Sequence, residues 1–197
     1  ALQYYQKDLE ISLKVYDTEI HPSIASSYNN IGLVCKNKGD FEQALQYYQK
    51  DLEISLKVYD TEIHPSIASS YNNIGMVYKN KGDFQQALQY YQKALDIQKE
   101  VCDTEIHPSI ATSYNNIGLL YDNKGDFQQA LQYYQKALDI QKEVYDMGIY
   151  LKMYRTEIHA TIANTEIHPS IVSSYNNIGM VYKNKGDFEQ ALQYYQK

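Results

Sequence analysis

Apolar side chains recur at intervals of three and four residues through most of this chain, which is the spacing of one face of an α-helix. In one stretch the apolar positions are Ile24, Tyr28, Ile31 and Cys35. After a short polar break a second stretch follows, with its apolar positions at Phe41, Ala44, Leu45, Tyr48, Leu52 and Leu56. The alternation of two such stretches predicts an all-α chain built from pairs of helices.

The breaks between the stretches set the predicted helix ends. Gly39 can adopt the left-handed conformation that ends a helix, and Asp40 is typical of the residue that caps the next one. Gln43, three residues after Asp40, predicts the reciprocal hydrogen bond of a capping box. Proline suits the first turn of a helix, so each pair of helices is expected to begin at Pro22 or its equivalent.

The pair of helices is a repeated unit. The text Ala-Leu-Gln-Tyr-Tyr-Gln-Lys starts at Ala1, Ala44, Ala87, Ala130 and Ala191, so three intervals are 43 residues long and the last is 61. A fixed period between about 20 and 50 residues is typical of stacked-repeat proteins. We therefore expect one solenoid over residues 1–197, and neither end reads as a polar capping repeat, so the array is expected to continue beyond both ends. The predicted segments are a partial repeat at 1–17, repeats at about 21–60, 64–103, 107–145 and 168–197, and an insert at about 146–164.

The insert resembles a duplicated linker. Residues 156–163 repeat most of the text of residues 61–68 but lack its proline. Without that proline the preceding helix is expected to run on through Tyr150, extended or kinked, before an irregular crossing. The alternative is an additional contact surface, formed by Tyr150, Met153, Tyr154 and Arg155.

A glycine stands in the middle of each complete first helix, where it costs about 0.5–1 kcal/mol relative to alanine. These glycines are Gly32, Gly75, Gly118 and Gly179. Their repetition indicates a close approach of two backbones. The predicted partners are the small residues of the second helices, Ala44, Ala87, Ala130 and Ala191.

The order of bulky, small and aromatic positions is specific. In the second repeat it is Tyr71, Ile74, Gly75, Tyr78, Ala87, Tyr91 and Ala94. This pattern resembles the tetratricopeptide repeat, and the resemblance implies an α-solenoid, a right-handed superhelix of antiparallel helix-turn-helix units. The Asn-Asn pair in the first helix, the long second helix and the His-Pro junction are similar to the repeats of kinesin light chains.

Composition narrows the classes of partner. The formal net charge is −6 and Arg155 is the only arginine, which disfavours nucleic acid, since nucleic-acid sites need a basic face. No apolar stretch is long enough to span a membrane. The two cysteines, Cys35 and Cys102, stand where other repeats carry tyrosine and are expected to be reduced, packed thiols. Low cysteine content favours a reducing compartment, and we expect a cytoplasmic location.

A polar face of the first helices is not required for packing within a helix pair. Asparagine offers both a donor and an acceptor, so a row of asparagines can hold the backbone of an extended peptide. In the resembling family, asparagines at the position of Asn30, Asn73, Asn116 and Asn177 commonly do so. The predicted groove residues are Asn30, Asn37, Asn73, Asn80, Asn116, Asn123, Asn177, Asn184, Lys36, Lys79 and Lys183.

The charges along this face differ between repeats. Lys36, Lys79 and Lys183 are expected to attract acidic flanks of a ligand, whereas Asp122 would locally favour a basic group. The alternative for the asparagines is that they are solvated or bonded to the adjacent hairpin. The alternative for the lysines is an interaction with the helix dipole.

Two other patterns have a structural interpretation. The linker histidines His21, His64, His107 and His168 occur once per repeat, too far apart to share a metal ion, so they are expected to help start the next helix. In the Tyr-Tyr pairs at 47–48, 90–91 and 133–134, one ring is expected in the core and the other partly exposed. We favour this interpretation over a platform on which nucleic-acid bases would stack.

No catalytic motif, cofactor site or metal site is predicted, and the sequence does not indicate the oligomeric state. The leading hypothesis is a non-enzymatic scaffold that binds a protein or peptide in the groove. An alternative is a recruiting module of a larger enzyme whose catalytic domain lies outside residues 1–197. A third is an architectural spacer that binds no ligand.

Overall fold

A computed structural model describes residues 2–156 and 168–197, with the backbone alone for residues 149–156. Throughout these residues the regular structure is α-helical. The chain divides into two compact units, Ala1–Val101 and Cys102–Lys197. The prediction of an all-α chain is confirmed, while the prediction of one solenoid over its whole length stays a prediction.

Unit 1 contains five helices, each packed on the next along the chain. They are α1 (Leu2–Tyr16), α2 (Pro22–Asn37), α3 (Phe41–Tyr59), α4 (Pro65–Asn80) and α5 (Phe84–Val101). The pairs α2–α3 and α4–α5 are antiparallel hairpins. Both first helices begin at the prolines where the sequence placed them.

Unit 2 repeats this arrangement with α6 (Pro108–Asn123), α7 (Phe127–Thr156), α8 (Pro169–Asn184) and α9 (Phe188–Tyr195). Here α6 also contacts α8. Helix α7 has 30 residues, so the predicted run-on of the second helix through Tyr150 is confirmed up to Thr156. Residues 157–164 of the insert, with the predicted irregular crossing, lie outside the described residues, as do the side chains of the alternative contact surface.

The turn inside each hairpin is fixed by local hydrogen bonds. At the end of α2, Gly39 has φ +81°, and the N–H groups of Gly39 and Asp40 donate to the carbonyls of Lys36 and Cys35 at 3.0 Å each. This is the Schellman arrangement that satisfies the last carbonyls of a helix. The Asp40 carboxylate then caps α3 by accepting from the N–H of Gln43 at 3.1 Å.

The predicted capping box is wrong in its second half. A capping box needs the side chain of Gln43 to accept from the backbone N–H of Asp40. That N–H is already bonded to the Cys35 carbonyl in the turn. The Gln43 amide oxygen instead lies 3.9 Å from Sγ of Cys35.

The linker histidines start the following helices, as predicted. Nδ1 of His64 accepts from the N–H of Ser66 at 3.1 Å, and His21 caps α2 in the same way through Ser23. The His64 ring also stacks on Tyr59 with its centroid 3.4 Å away. Because each imidazole is used at its own helix end, these histidines have a structural role in the repeat.

The glycines of the first helices lie closest to tyrosine rings of the second helices. A Cβ built on Gly32 would lie 2.9 Å from the ring of Tyr48, which is closer than real Cβ atoms come to neighbouring atoms. Gly75, Gly118 and Gly179 face Tyr91, Tyr134 and Tyr195 in the same way. The prediction of close helix contact is confirmed. The nearest partner is a flat ring of the second helix rather than the predicted alanine, although at Gly75 the carbonyl oxygen of Ala87 also lies 3.3 Å from the Cβ position.

The Tyr-Tyr pairs at 47–48, 90–91 and 133–134 are divided between core and surface, as predicted. The second ring is buried at Tyr48, Tyr91 and Tyr134, and burial raises the pKa of Tyr48 to about 12. The first ring is half-buried and lies against a tyrosine of the first helix. Tyr90, for example, stacks on Tyr78 with centroids 5.4 Å apart.

Buried polar side chains join one hairpin to the next. In unit 1 the hydroxyl of Ser70 on α4 donates to the carboxylate of Asp51 on α3 at 2.7 Å. In unit 2 Ser174 donates to the side-chain oxygen of Gln141 at 2.7 Å. Burial raises the pKa of Asp51 from 3.8 to about 6, against the opposing effect of hydrogen bonds from Ser70 and Ser55.

Both cysteines are free thiols, as expected. Cys35 is buried in the core of unit 1, while Cys102 is half-buried in unit 2. Burial raises the pKa of the Cys35 thiol, and the charge of Asp40 acts in the same direction. A raised pKa keeps Cys35 protonated and unreactive.

Candidate functional site

The predicted groove residues occupy the face of the first helices that points away from the core of each hairpin. We call this face, carried in unit 1 by α2 and α4 and in unit 2 by α6 and α8, the asparagine face. Its first asparagine in each repeat is half-buried, whereas its second is exposed. The half-buried set is Asn30, Asn73, Asn116 and Asn177, and the exposed set is Asn37, Asn80, Asn123 and Asn184.

In unit 1 one asparagine of the face is bonded to the neighbouring hairpin. Nδ2 of Asn73 on α4 donates to Oδ1 of Asn29 on α2 at 2.7 Å. This is one of the two alternatives that the sequence left open for the asparagines. The Asn73 amide still has its own oxygen and a second N–H hydrogen, since an amide has two donor hydrogens and one carbonyl.

The other half-buried asparagines are not bonded to the described residues of neighbouring repeats. Within the described residues, the side chains of Asn30, Asn116 and Asn177 make no hydrogen bond. An unpaired amide at the surface exchanges its bonds with water and can exchange them with a peptide backbone at little cost. The face therefore presents both fixed and available amides.

Two lysines of unit 1 lie close together. Nζ of Lys36 contacts Sδ of Met76 on the adjacent first helix at 3.1 Å. Partial burial lowers the pKa of Lys36, and it lowers the pKa of Lys79 with a further contribution from the positive charge of Lys36. Neither lysine forms an ion pair with a described residue. This part of the face is therefore positive without a counter-ion of its own.

Unit 2 has a different set of charges. Asp122 of α6 takes the position of Lys36 and Lys79, and its Oδ1 accepts from Nδ2 of Asn184 on α8 at 3.2 Å. Lys183 is exposed on α8. The two units therefore offer the same asparagine pattern with different charges beside it, which are two lysines in unit 1 and one aspartate and one lysine in unit 2.

Apolar side chains lie between the asparagines. Leu33, Leu119 and Met180 are between 36% and 50% exposed although they belong to helices with well-packed cores. The equivalent Met76 is half-buried, so three of the four complete repeats offer an exposed apolar side chain that a ligand can cover. The face therefore combines amides, charges and apolar contacts, the usual components of a peptide-binding surface.

Models of the tetratricopeptide repeat match residues 25–54, 66–143 and 172–197. The chain belongs to the tetratricopeptide repeat family. Its members are generally non-catalytic interaction repeats, and the match includes parts of every complete hairpin. The fold is thus of the all-α helical-repeat solenoid class.

Solved structures support the same assignment. The crystal structure of BtubC (BKLC) from P. vanneervenii matches with a TM-score of 0.68 and 26% identity, covering 89% of this chain and 62% of that one. The TPR-like repeats of a Podosopora anserina protein named for the kinesin light chain match with a TM-score of 0.71 and 19% identity, covering 99% of this chain and 82% of that one. Comparison with curated proteins gives no match. The tetratricopeptide array thus resembles that of kinesin light chains, and it spans less than two thirds of BtubC.

Two other classes of site, a metal centre and a membrane span, are absent from the described part of the chain. Its histidine, cysteine and carboxylate side chains form no group of three that could hold a metal ion. No described helix combines the length and apolarity needed to cross a bilayer. Among the described residues, the asparagine face is therefore the candidate functional site.

Sequence reasoning missed several contacts of this tetratricopeptide face. It did not predict the bond between Asn73 and Asn29, and it did not predict that Asn184 would orient Asp122. Both bonds join residues on different repeats, so nothing within one period reveals them. A signal for the bonds between hairpins was present, because every complete repeat carries a serine that the helical pattern places in the core.

Proposed function

We propose that the chain is a non-catalytic, cytoplasmic adaptor that binds an extended peptide or a partner helix of another protein on the asparagine face. The repeated half-buried asparagine of the first helices carries this proposal. Three of these amides, those of Asn30, Asn116 and Asn177, stand beside an exposed apolar side chain and have no hydrogen bond within the described residues. Two free cysteines and the absence of described disulfides fit a reducing compartment.

The chemistry of the face favours binding through the peptide backbone. An asparagine amide can donate to a peptide carbonyl and accept from a peptide N–H at the same residue. Such contacts depend weakly on the ligand sequence. Specificity then falls to the apolar and charged side chains that lie between the amides.

In unit 1 the charges favour an acidic ligand segment. Lys36 and Lys79 repel one another and have no ion-pair partner among the described residues. A carboxylate placed between them would relieve that repulsion. Lys183 offers a further cation in unit 2.

The test is selection of short random peptides on the intact protein, followed by binding measurements with the variant Asn73→Ala, Asn116→Ala. Each net hydrogen bond contributes about 0.5–1.5 kcal/mol, so the double variant should bind at least about five-fold more weakly. The matched control is Gln46→Ala, Gln89→Ala, which removes two exposed amides from second helices.

Three results are informative. Weaker binding in the asparagine variant alone supports the proposal. If both variants bind the selected peptides as tightly as the wild type does, the asparagine face is not the site. If no peptide is selected at all, the chain acts as a spacer, and the adaptor proposal is wrong.

A further inference from the structure

One position of the asparagine face changes sign among the repeats. The residue before the second asparagine is Lys36, Lys79 and Lys183 in three repeats and Asp122 in the other. The surrounding text of the first helix is otherwise almost unchanged. A charge reversal at an otherwise constant position can give one repeat a different ligand preference from the others.

The carboxylate of Asp122 is held in place. It lies half-buried on α6, and Oδ1 accepts from Nδ2 of Asn184 on α8 at 3.2 Å. That bond crosses from one first helix of unit 2 to the next. A carboxylate has about four acceptor sites, so most of its capacity remains available.

No cation of the described residues neutralises Asp122. Lys183, one repeat further along the same unit, does not come within the 4.0 Å that defines an ion pair. The negative charge is nevertheless effective inside unit 2, since it adds to burial in raising the pKa of Tyr134. A carboxylate without a cationic partner can form an ion pair with a cation supplied by a ligand.

The neighbouring surface suits the aliphatic part of a long basic side chain. Leu119, one helical turn before Asp122, is 36% exposed, and Met180 on α8 is 50% exposed. Lysine and arginine bury their methylene groups on apolar surface while the charged end reaches a polar partner. An acidic group with apolar neighbours is therefore complementary to a basic side chain.

From this geometry we infer that Asp122 is a specificity-determining residue, which selects a lysine or arginine side chain of an extended peptide bound on unit 2. The inference rests on the proposed function. It adds that the repeat carrying Asp122 has the opposite charge preference to the repeats of unit 1, where the corresponding residues are Lys36 and Lys79.

The experiment uses selection of short random peptides on the intact protein and on two variants of Asp122. Asp122→Lys installs the residue of the other repeats, while Asp122→Asn removes the charge but keeps an oxygen for Asn184. Asp139→Lys is the matched control, because it makes the same change of net charge at an exposed position of α7. Circular dichroism and thermal unfolding establish that each variant is folded.

The expected result is enrichment of lysine or arginine at one peptide position with the wild type and with Asp139→Lys. That enrichment should disappear with Asp122→Asn and turn into enrichment of acidic residues with Asp122→Lys. A selected basic peptide should bind Asp122→Asn about five-fold more weakly, equivalent to about 1 kcal/mol for a partly exposed pair. The difference should shrink as salt rises from about 0.1 M to about 1 M, where the Debye length falls to about 3 Å.

The outcomes separate this inference from the adaptor proposal. One outcome is a set of peptides that lose affinity in Asn73→Ala, Asn116→Ala but show the same charge preference in every Asp122 variant. That result would overturn the role of Asp122 and leave the adaptor proposal standing. Selection of no peptide by the folded wild type would overturn both.

Discussion

The ring of Tyr91 occupies the space that a side chain on Gly75 would need, since a Cβ built on Gly75 falls 2.8 Å from Cδ1 of that ring. The ring is itself almost fully buried, so it has no free volume into which to move. Glycine is required at this position by packing, although its φ lies in the ordinary helical range.

We predict that Gly75→Ala destabilises the protein by about 1–3 kcal/mol, the usual cost of overpacking, and that Gly75→Leu costs more. Gly148→Ala is the matched control, because Gly148 is also helical but no atom lies within 4 Å of its Cβ position. That change should stabilise by about 0.5–1 kcal/mol through helix propensity. Urea unfolding followed by circular dichroism measures both, and a Gly75→Ala curve shifted in the same direction as Gly148→Ala would refute the packing argument.

A second prediction concerns Asp51, whose pKa in the folded protein is raised from 3.8 to about 6. The folded state then binds the proton more tightly than the unfolded chain does. The stability that depends on this proton is complete below about pH 4 and is lost as the pH rises through about 6, with a total of up to about 3 kcal/mol. Asp51→Asn keeps an oxygen for Ser70 but does not titrate.

The free energy of unfolding of Asp51→Asn should therefore rise relative to that of the wild type between about pH 4 and about pH 7. Urea titrations at a series of pH values measure this difference. Parallel pH profiles for the two proteins would mean that Asp51 titrates alike in the folded and unfolded states.

A third prediction separates the two contacts of His64. Its Nδ1 caps α4, and its ring stacks on Tyr59. His64→Ala removes both contacts and should cost about 0.5–2 kcal/mol for the cap alone. His64→Asn restores a capping oxygen without the stacked ring, so its melting temperature should lie between those of His64→Ala and the wild type. Equal melting temperatures for the two variants would show that capping contributes nothing.

A fourth prediction tests the charge of unit 1. Once an acidic peptide ligand has been selected, Lys36→Gln and Lys79→Gln should each weaken its binding by up to about five-fold. The control is Lys93→Gln, which removes an exposed lysine of the second helix α5 that lies over the rings of Tyr90 on α5 and Tyr71 on α4. Titration calorimetry at two salt concentrations measures the effect, and an equal loss in the Lys93 variant would point to net charge rather than to the face.

Much of this fold could be predicted from the sequence because its signals are local. Pro22 and Gly39 mark the ends of α2, and a helical period of apolar residues lies between them. The run-on of α7 could be predicted from the missing proline of the insert. Such features depend on residues only a few positions apart.

The errors concern contacts that local patterns do not determine. Gly32 predicted a tight crossing, but the spacing alone did not distinguish Ala44 from the flat face of Tyr48 as its partner. The capping box failed because the N–H of Asp40 had two possible acceptors, and the turn supplied the nearer one.

The candidate site shows the same limit. Sequence identified the asparagines and lysines of the first helices, but the bond from Asn73 to Asn29 depends on how one hairpin packs on the next. The pairing of Asp122 with Asn184 has the same origin. Residues could thus be assigned to a face from one period, whereas their partners required the packed repeats.

The residues that begin and end the helices lie within the repeat to which those helices belong, and this affects how the number of repeats can evolve. His64 and Asp83 cap the helices of their own repeat, and Gly82 closes the turn between them. Duplication or deletion of one whole period therefore leaves each signal beside the segment that it controls. Unequal recombination between the nearly identical copies can thus lengthen or shorten the array without a new folding problem, so the number of repeats is itself a heritable variable.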